Sequence, residues 1–442
     1  MKAQDVDFSM LLKHANNGTG RKTNLRTVTA DLTKAVQREV HQWKVSARSH
    51  NDAGTRPFQL LDFFCGCGGM SLGFAALSKI VPLVEIVGGC DIEDDALATY
   101  KRNFGAPGVN RDIRDLAESD TALHDFLAML PRFDKKRRTI IIGCAPCQGF
   151  TSLRKRHWHK DDCRNSLVRT FALVATTLEP ECIIMENVPD MLSKKYWNHF
   201  EDARAILEDA GYEVSQTIYN AASFGVPQER FRTLVVAMKK SFILPMPQIL
   251  DPSRYKTVWS AIGKLPPVLP GEPHPADPLH RSAAHRESTL QTIRAIPKNG
   301  GSRPVGVGPK CLDRVRGFSD VYGRLAWERP AITVTHYARN PASGRYVHPE
   351  QDRGLTAREA ASLQSFPKGF QFCGSFDSVF KQIGEAVPPL FSAAVAASCV
   401  TELLSQEPTI GELSYAMKPV TNPVSNSYSS VIAGLKMARN GK

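Results

Sequence analysis

The stretch LLDFFCGCGGMSLGF, residues 60–74, is an apolar run that breaks at Gly66-Cys67-Gly68-Gly69 and resumes with Met70, Phe74 and Leu77 at helical spacing. A switch from continuous apolarity to a 3.6-residue period marks a buried strand passing into a helix. The glycines let the backbone turn sharply and bring its amides close to a ligand. Similar short runs rich in Ile, Val and Leu stand at 59–64, 84–87, 139–142, 182–185 and 233–238, separated by helix-like stretches. Runs of this kind fit parallel strands buried on both faces. The expected fold is therefore α/β, a doubly wound, mostly parallel, Rossmann-like sheet.

Outward from this block the texture changes. Residues 1–57 are a basic N-terminal extension with one amphipathic stretch at 30–45 and a linker at 49–54. Residues 58–240, the block of alternating strands and helices, are expected to form one domain, the one in which the catalytic and cofactor-binding residues are sought below. After 240, Pro245, Pro247, Pro252, Pro266, Pro267, Pro270, Pro273, Pro275 and Pro278 break regular helices. A second, smaller, irregular domain is placed at 241–374, followed by a helix at 375–404 that returns to the first domain and a polar tail at 405–442.

The 442 residues, 42% hydrophobic and 23% charged, have the composition of an ordinary globular protein, which excludes disorder as the main state. No apolar run near the roughly 18 residues of a membrane span is read, and the N-terminus lacks the pattern of a secretory signal. The cytoplasm is expected, with the ten cysteines reduced. The net charge of +12 lies mostly outside the middle block: +5 in 1–57, −1 in 58–240, +6 in 241–325 and +2 in 326–442. That distribution suits a polyanionic partner gripped by the flanking segments.

A dinucleotide fingerprint would have Gly at position 71, where this chain has Ser71, which argues against NAD and toward another adenosine-containing cofactor. Asp91, 25 residues past Gly66, ends the next strand and can accept from ribose hydroxyls. Ile92 can cover the adenine face, and Asp112, at the end of a third strand, can accept from the adenine amino group.

The fourth strand runs into Gly143-Cys144-Ala145-Pro146-Cys147-Gln148, which puts a thiol at the carboxyl edge of the sheet, where open α/β folds place chemistry. The fifth ends at Glu186-Asn187-Val188. Gln228, Arg230 and Arg232 alternate onto one face ahead of the run at 233–238. Thiol, carboxyl and guanidinium are expected to meet in one crevice as nucleophile, proton donor and charge stabiliser.

These residues in this order resemble the DNA cytosine-5 methyltransferase family of bacterial restriction-modification systems. The resemblance runs from Leu60 to about Val400 through the Gly-rich turn, PCQ at 146–148, ENV at 186–188 and QERFR at 228–232. It continues through YGRL at 322–325, RPAITVT at 329–335, HP at 348–349, LTAREAASLQSFP at 355–367 and IGEAVPP at 383–389. It implies an S-adenosyl-L-methionine-dependent methyltransferase fold whose second domain recognises the target. It also implies S-adenosyl-L-methionine lying against Phe64, Gly66, Gly68, Gly69, Asp91, Ile92, Asp112, Ile113, Pro146 and Glu385. It implies base flipping and attack of Cys147 on C6 of the cytosine, with Glu186 at N3 and Arg230 and Arg232 supporting charge. Double-stranded DNA is the implied partner, contacted by Gln148, Arg281, Arg303, Arg314 and Arg316. A restriction endonuclease acting on the same site, a monomeric state and association with the nucleoid are further expectations. Glu385 departs from the pattern, since the family usually has Asn there.

Other readings of the same residues are a tRNA-methylating relative, whose CFT segment is not found, and a non-catalytic DNA-binding protein, which intact Cys147, Glu186 and Arg232 oppose. Cys65, Cys67, Cys144 and Cys147 as a zinc site would occupy the nucleophile, so no metal is expected. His280 and His285 are read as ordinary polar residues, and 155–160 as a basic loop over DNA.

Overall fold

The computed structural model describes residues 58–80, 82–146, 163–314, 320–404 and 419–424. Cys147, Gln148, Arg316, the basic loop at 155–160 and the amphipathic stretch at 30–45 lie outside these residues.

Five parallel strands carry the first part of the sheet: β1 (Phe58–Phe63), β2 (Val84–Asp91), β3 (Gly108–Asn110), β4 (Arg138–Gly143) and β5 (Cys182–Asn187). Two more, β6 (Glu213–Asn220) and β7 (Phe231–Met238), complete a seven-stranded sheet of order β3-β2-β1-β4-β5-β7-β6. The order reverses between β1 and β4, which opens a crevice at their carboxyl ends.

All six residues of β1 are buried, because successive side chains enter cores on opposite faces. Leu60, Ile140 and Ile184 pack on one side with α1 (Gly69–Ile80). Leu61, Ile141 and Ile183 pack on the other with Ile113, Phe126, Phe171 and Phe200. The latter come from α3 (Ile113–Glu118), α4 (Asp120–Ala128), α5 (Leu167–Thr177) and α6 (Trp197–Asp209), after α2 (Asp94–Phe104) between β2 and β3. Helices thus cover both faces and the doubly wound expectation holds.

The run at 233–238 was expected among parallel strands, but β7 is antiparallel to both β5 and β6. Only the short turn at 221–224 and an extended segment join β6 to β7, with no crossover helix to reverse the chain, so the two pair head to tail. β6, EVSQTIYN, carries no apolar run that marks a strand, because Ser215, Gln216 and Thr217 stand together at its centre. Part of the polar tail docks there: Val420 donates its N–H to the Gln216 carbonyl, and Val424 pairs with 192–194.

Beyond β7 the chain is irregular, with α7 (Val258–Ile262), α8 (Glu287–Arg294), α9 (Ala357–Leu363) and α10 (Phe376–Glu385). Its main core contains Leu325, Leu355, Leu363, Phe380 and Ile383, and it also takes in Cys67 and Leu72 from the first block. Beneath it lies a polar core. Arg353 donates to both Glu359 carboxylate oxygens at 2.8 and 2.7 Å, and Glu359 also accepts from Thr356 N–H at 2.8 Å in a capping box. His280 bridges Thr356 and the Pro266 carbonyl, and His285 accepts from Gly354 N–H.

The stretch 376–404, which continues into α11 (Pro389–Leu404), corrects one expectation. By length and hydropathy it contains a window apolar enough to cross a membrane, but 89% of that window is buried in the fold. α11 packs against α1 so closely that a Cβ on Gly73 would stand 2.3 Å from the Ala393 amide nitrogen. Its apolarity serves the protein core.

Candidate active site

The floor of the crevice is the turn after β1. Phe64 and Gly66 both take positive φ, 53° and 50°, and Phe64 is half-buried with its ring 6.4 Å from that of Phe171. Gly68 combines φ of 88° with close approach, since a Cβ there would lie 2.2 Å from the Phe104 ring. Gly69 begins α1. Beneath the turn, Ser71 Oγ donates to buried Asp62 at 2.6 Å and lies 3.2 Å from the Tyr100 hydroxyl. Burial pushes the Asp62 carboxyl up to about 8. The hydroxyl at 71 thus has a buried acid to satisfy, which a glycine would leave unpaired.

Asp91 stands at the end of β2 and grips the turn: Oδ2 accepts from Gly66 N–H at 2.8 Å, and Oδ1 from Ile92 and Glu93 N–H at 2.8 and 3.0 Å. Burial raises its pKa against those three bonds. Ile92 is 59% exposed, an apolar surface at the crevice mouth. Asp112 caps α3 through Arg114 N–H and pairs with the Arg114 guanidinium, which holds its carboxyl below the usual range. Ile113 is buried in the core behind it. Glu385 is exposed at the end of α10.

On the chemical side, Pro146 is half-buried and is the last described residue before Cys147. The loop leading to it is fixed by Asn187, whose side-chain amide donates to the Ala145 carbonyl at 3.3 Å while its carbonyl accepts from Val188 N–H at 2.8 Å. Glu186 is buried at the carboxyl end of β5, opposite Leu234. Arg232 Nε lies 2.9 Å from Glu186 Oε1, an ion pair whose N–H is not aimed along the line of a good hydrogen bond. Burial raises the Glu186 pKa against the pull of Arg232 and Arg230. Because β7 runs antiparallel, its N-terminal end lies at the carboxyl edge of β5, which is how Arg232 reaches this rim.

Arg230 is 1% exposed and donates to the carbonyls of Val334, Gly384 and Ala386, at 3.0, 3.0 and 3.1 Å. Gln228 also faces the irregular half: it donates to Leu363 and Gln364 and accepts from Val334 N–H. Of the predicted DNA contacts, Arg281 is exposed, its guanidinium 5.1 Å from the Phe376 ring centroid, and Arg314 is exposed. Arg303 instead pairs with Asp313 at 2.8 Å and donates to the Pro304 and Val307 carbonyls. Among the described residues no His, Cys, Asp and Glu group is arranged to hold a metal. Residue-by-residue reading gave Asn187 no role, although it follows Glu186, and passed over Lys381, four residues before Glu385, where helical periodicity places it on the same side.

Residues 58–401 match the C-5 cytosine-specific DNA methylases. The chain is 30% identical over 347 residues to the type II methylase M.HgiDII of Herpetosiphon aurantiacus, covering 77% of this chain and 94% of that protein. It is 32% identical over 342 residues to the type II methyltransferase M1.HphI of Haemophilus parahaemolyticus, covering 76% and 85%. A solved structure described as a DNA modification methyltransferase encoded within an E. coli prophage superposes with a TM-score of 0.60 at 21% identity, over 79% of this chain and all of that one. The chain belongs to the C-5 cytosine-specific DNA methylase family. It is thus a DNA (cytosine-5) methyltransferase, as the ordered motifs implied.

Proposed function

We propose that this enzyme methylates C5 of a flipped cytosine in a specific duplex sequence by covalent catalysis through Cys147, as the modification member of a restriction-modification system. The observation that carries the reading is the Glu186–Arg232 pair at the carboxyl rim, beside the Asn187-fixed loop that leads into Cys147. The Cys147 thiolate adds to C6 and forms a C–S bond. Glu186, its carboxyl raised by burial, supplies a proton or hydrogen bond at N3, so that the electron pair accumulates at C5. Arg232 holds the base and balances charge on Glu186. Arg230, bound to three carbonyls, acts by positioning the start of β7. After C5 takes the methyl group, a base removes the C5 proton, the C–S bond breaks and Cys147 leaves.

The crevice residues fit S-adenosyl-L-methionine. A Cβ at Gly66 would meet no heavy atom within 4 Å, so the backbone there is open to a ligand. Asp91 retains acceptor capacity for ribose hydroxyls, and exposed Ile92 offers a face to adenine. Phe64, Gly68, Gly69, Asp112, Pro146 and Glu385 complete the wall that would hold it, with the buried Ile113 side chain backing Asp112 from the core. When bound there it supplies an electrophilic methyl group. Exposed Arg281 and Arg314, together with Arg316 and Gln148, are assigned to DNA. The division into domains at 58–240 and 241–374, the monomeric state, residence with DNA in the cytoplasm and a partner nuclease belong to the same proposal.

Transfer of tritiated methyl groups to duplex DNA and, in parallel, to tRNA tests it, with wild type beside Cys147→Ala. Label in DNA that disappears in the variant is expected. Label in tRNA alone, or label in DNA that survives the substitution, would overturn it.

A further inference from the structure

The crevice between the end of β2 and the end of α10 brings Asp91 and Glu385 together with two charges not yet assigned, Glu93 and Lys381. Cys67 Sγ lies 3.6 Å from the Gln382 carbonyl, and a Cβ on Gly69 would stand 2.9 Å from Ala386 Cβ, so the end of α10 rests on the turn at 64–69. Glu385 therefore stands beside one side of the turn and Asp91 beside the other. Lys381 joins the two walls: its Nζ is 2.7 Å from Glu93 Oε1, and Glu385 follows it one helical turn later. Burial works against charge on Lys381, but Glu93, Glu385 and Asp91 together raise its pKa, and Cys67 is pushed up by burial with Asp91 and Glu385 adding to it. Three carboxylates share one ammonium, which leaves the crevice negative where an Asn at 385 would leave it less so.

We propose that Glu385, one helical turn from Lys381, makes the crevice select a positively charged sulfonium cofactor over its neutral demethylated product. The inference rests on the cofactor reading given above. S-adenosylmethionine carries a sulfonium, an ammonium and a carboxylate, whereas S-adenosylhomocysteine has lost the sulfonium charge and is neutral overall. A carboxylate at the crevice mouth discriminates between them where a bound ligand lies against it and displaces the solvent that would screen it. The advantage to the enzyme is release of product, which would otherwise occupy the crevice and inhibit the next turnover.

Isothermal titration of the full-length protein with S-adenosylmethionine, S-adenosylhomocysteine and sinefungin, which bears a protonated amine at the sulfonium position, tests this in wild type, Glu385→Gln and Lys381→Met. The readout is the ratio of the Kd for the neutral product to that for each charged ligand. In Glu385→Gln the ratio is expected to fall by about 3- to 10-fold, the order expected for one charge removed at partly screened distance. In Lys381→Met it is expected to rise, because Glu385 loses its neutralising neighbour. Loss of the bridge to Glu93 weakens all three ligands alike and cancels in the ratio. An unchanged ratio in Glu385→Gln, or equal loss of all ligands there, overturns the proposal and leaves residue 385 a merely structural part of the wall. Wild-type protein that binds none of the three removes the cofactor reading itself, and this proposal with it.

Discussion

The buried glutamate–arginine pairs Glu359–Arg353 and Glu186–Arg232, one in each half of the described chain, behave in opposite ways. Glu359 is matched on every side: Arg353 reaches both oxygens and Thr356 N–H adds a third bond. Burial alone would raise its pKa, but the Arg353 guanidinium brings it down to about 2. Glu186 is also buried, but among the described residues its ion pair is with Arg232 at a poorly directed 2.9 Å, and burial outweighs Arg232 and Arg230 so that its pKa is raised. A fully matched carboxylate stays ionised and holds structure together. An under-matched one is poised to take up a proton, which suits chemistry on a base.

The comparison can be broken at its chemical end first. Cys147→Ala is expected to reduce methyl transfer to background, and Glu186→Gln to reduce it about 10²- to 10⁴-fold, the usual worth of a positioned proton donor. In urea titrations Glu186→Gln should shift the midpoint less than Glu359→Gln, because burial already disfavours its ionised form and so offsets the counter-charge that Arg232 loses. Glu359→Gln reverses the pattern. It leaves Arg353 buried without its counter-charge and should cost about 3 kcal/mol of stability, while the protein that remains folded keeps its turnover rate. Equal destabilisation by the two substitutions would erase the distinction.

Acid sharpens the contrast further. Glu359 has a folded pKa of about 2 against an ordinary 4.5, so its stabilising contribution is complete above 4.5 and is lost as pH falls toward 2. His348, its buried neighbour, is lowered from 6.5 to about 4 by burial, so stability also declines as pH falls from 6.5 toward 4 and the unfolded chain gains a proton first. Thermal melts should therefore drop steadily between pH 6.5 and 2, and Glu359→Gln should flatten the lower part of that curve. Transfer rates should fall with rising pH as Glu186 loses its proton. The smallest effects belong to the surface. Arg281→Ala and Arg314→Ala should each reduce the salt slope of DNA binding by about one, whereas Arg303→Ala, whose charge is already spent on Asp313, should loosen the 303–313 loop and leave the slope unchanged.

The parts legible in the sequence were those fixed by local pattern. The Gly-rich turn, Asp91 and Glu186 follow apolar runs whose ends the eye can find. β6 is hidden because its buried half includes Gln216, Thr217 and Asn220, polar residues that sequence alone would place at the surface, and the direction of β7 is hidden because periodicity carries no sign. Arg230 and Arg303 look like free cations in one dimension, and only the folded chain reveals the carbonyls that surround them. The Arg353–Glu359 pair depends on how the turn before α9 folds back on its first turn, and the Lys381–Glu93 bridge on where α10 meets the start of α2, and no spacing rule encodes either.

The close seat of α11 on α1 has a consequence for the timing of synthesis. The backbone that backs Gly73 belongs to Ser392 and Ala393, more than 300 residues later in the chain. At the roughly 5–20 residues per second of a translating ribosome, tens of seconds separate emergence of the two. Until then the nascent chain holds a half-covered sheet whose apolar face awaits α11, so a chain cut before residue 389 is expected to lack the cover that α11 gives α1.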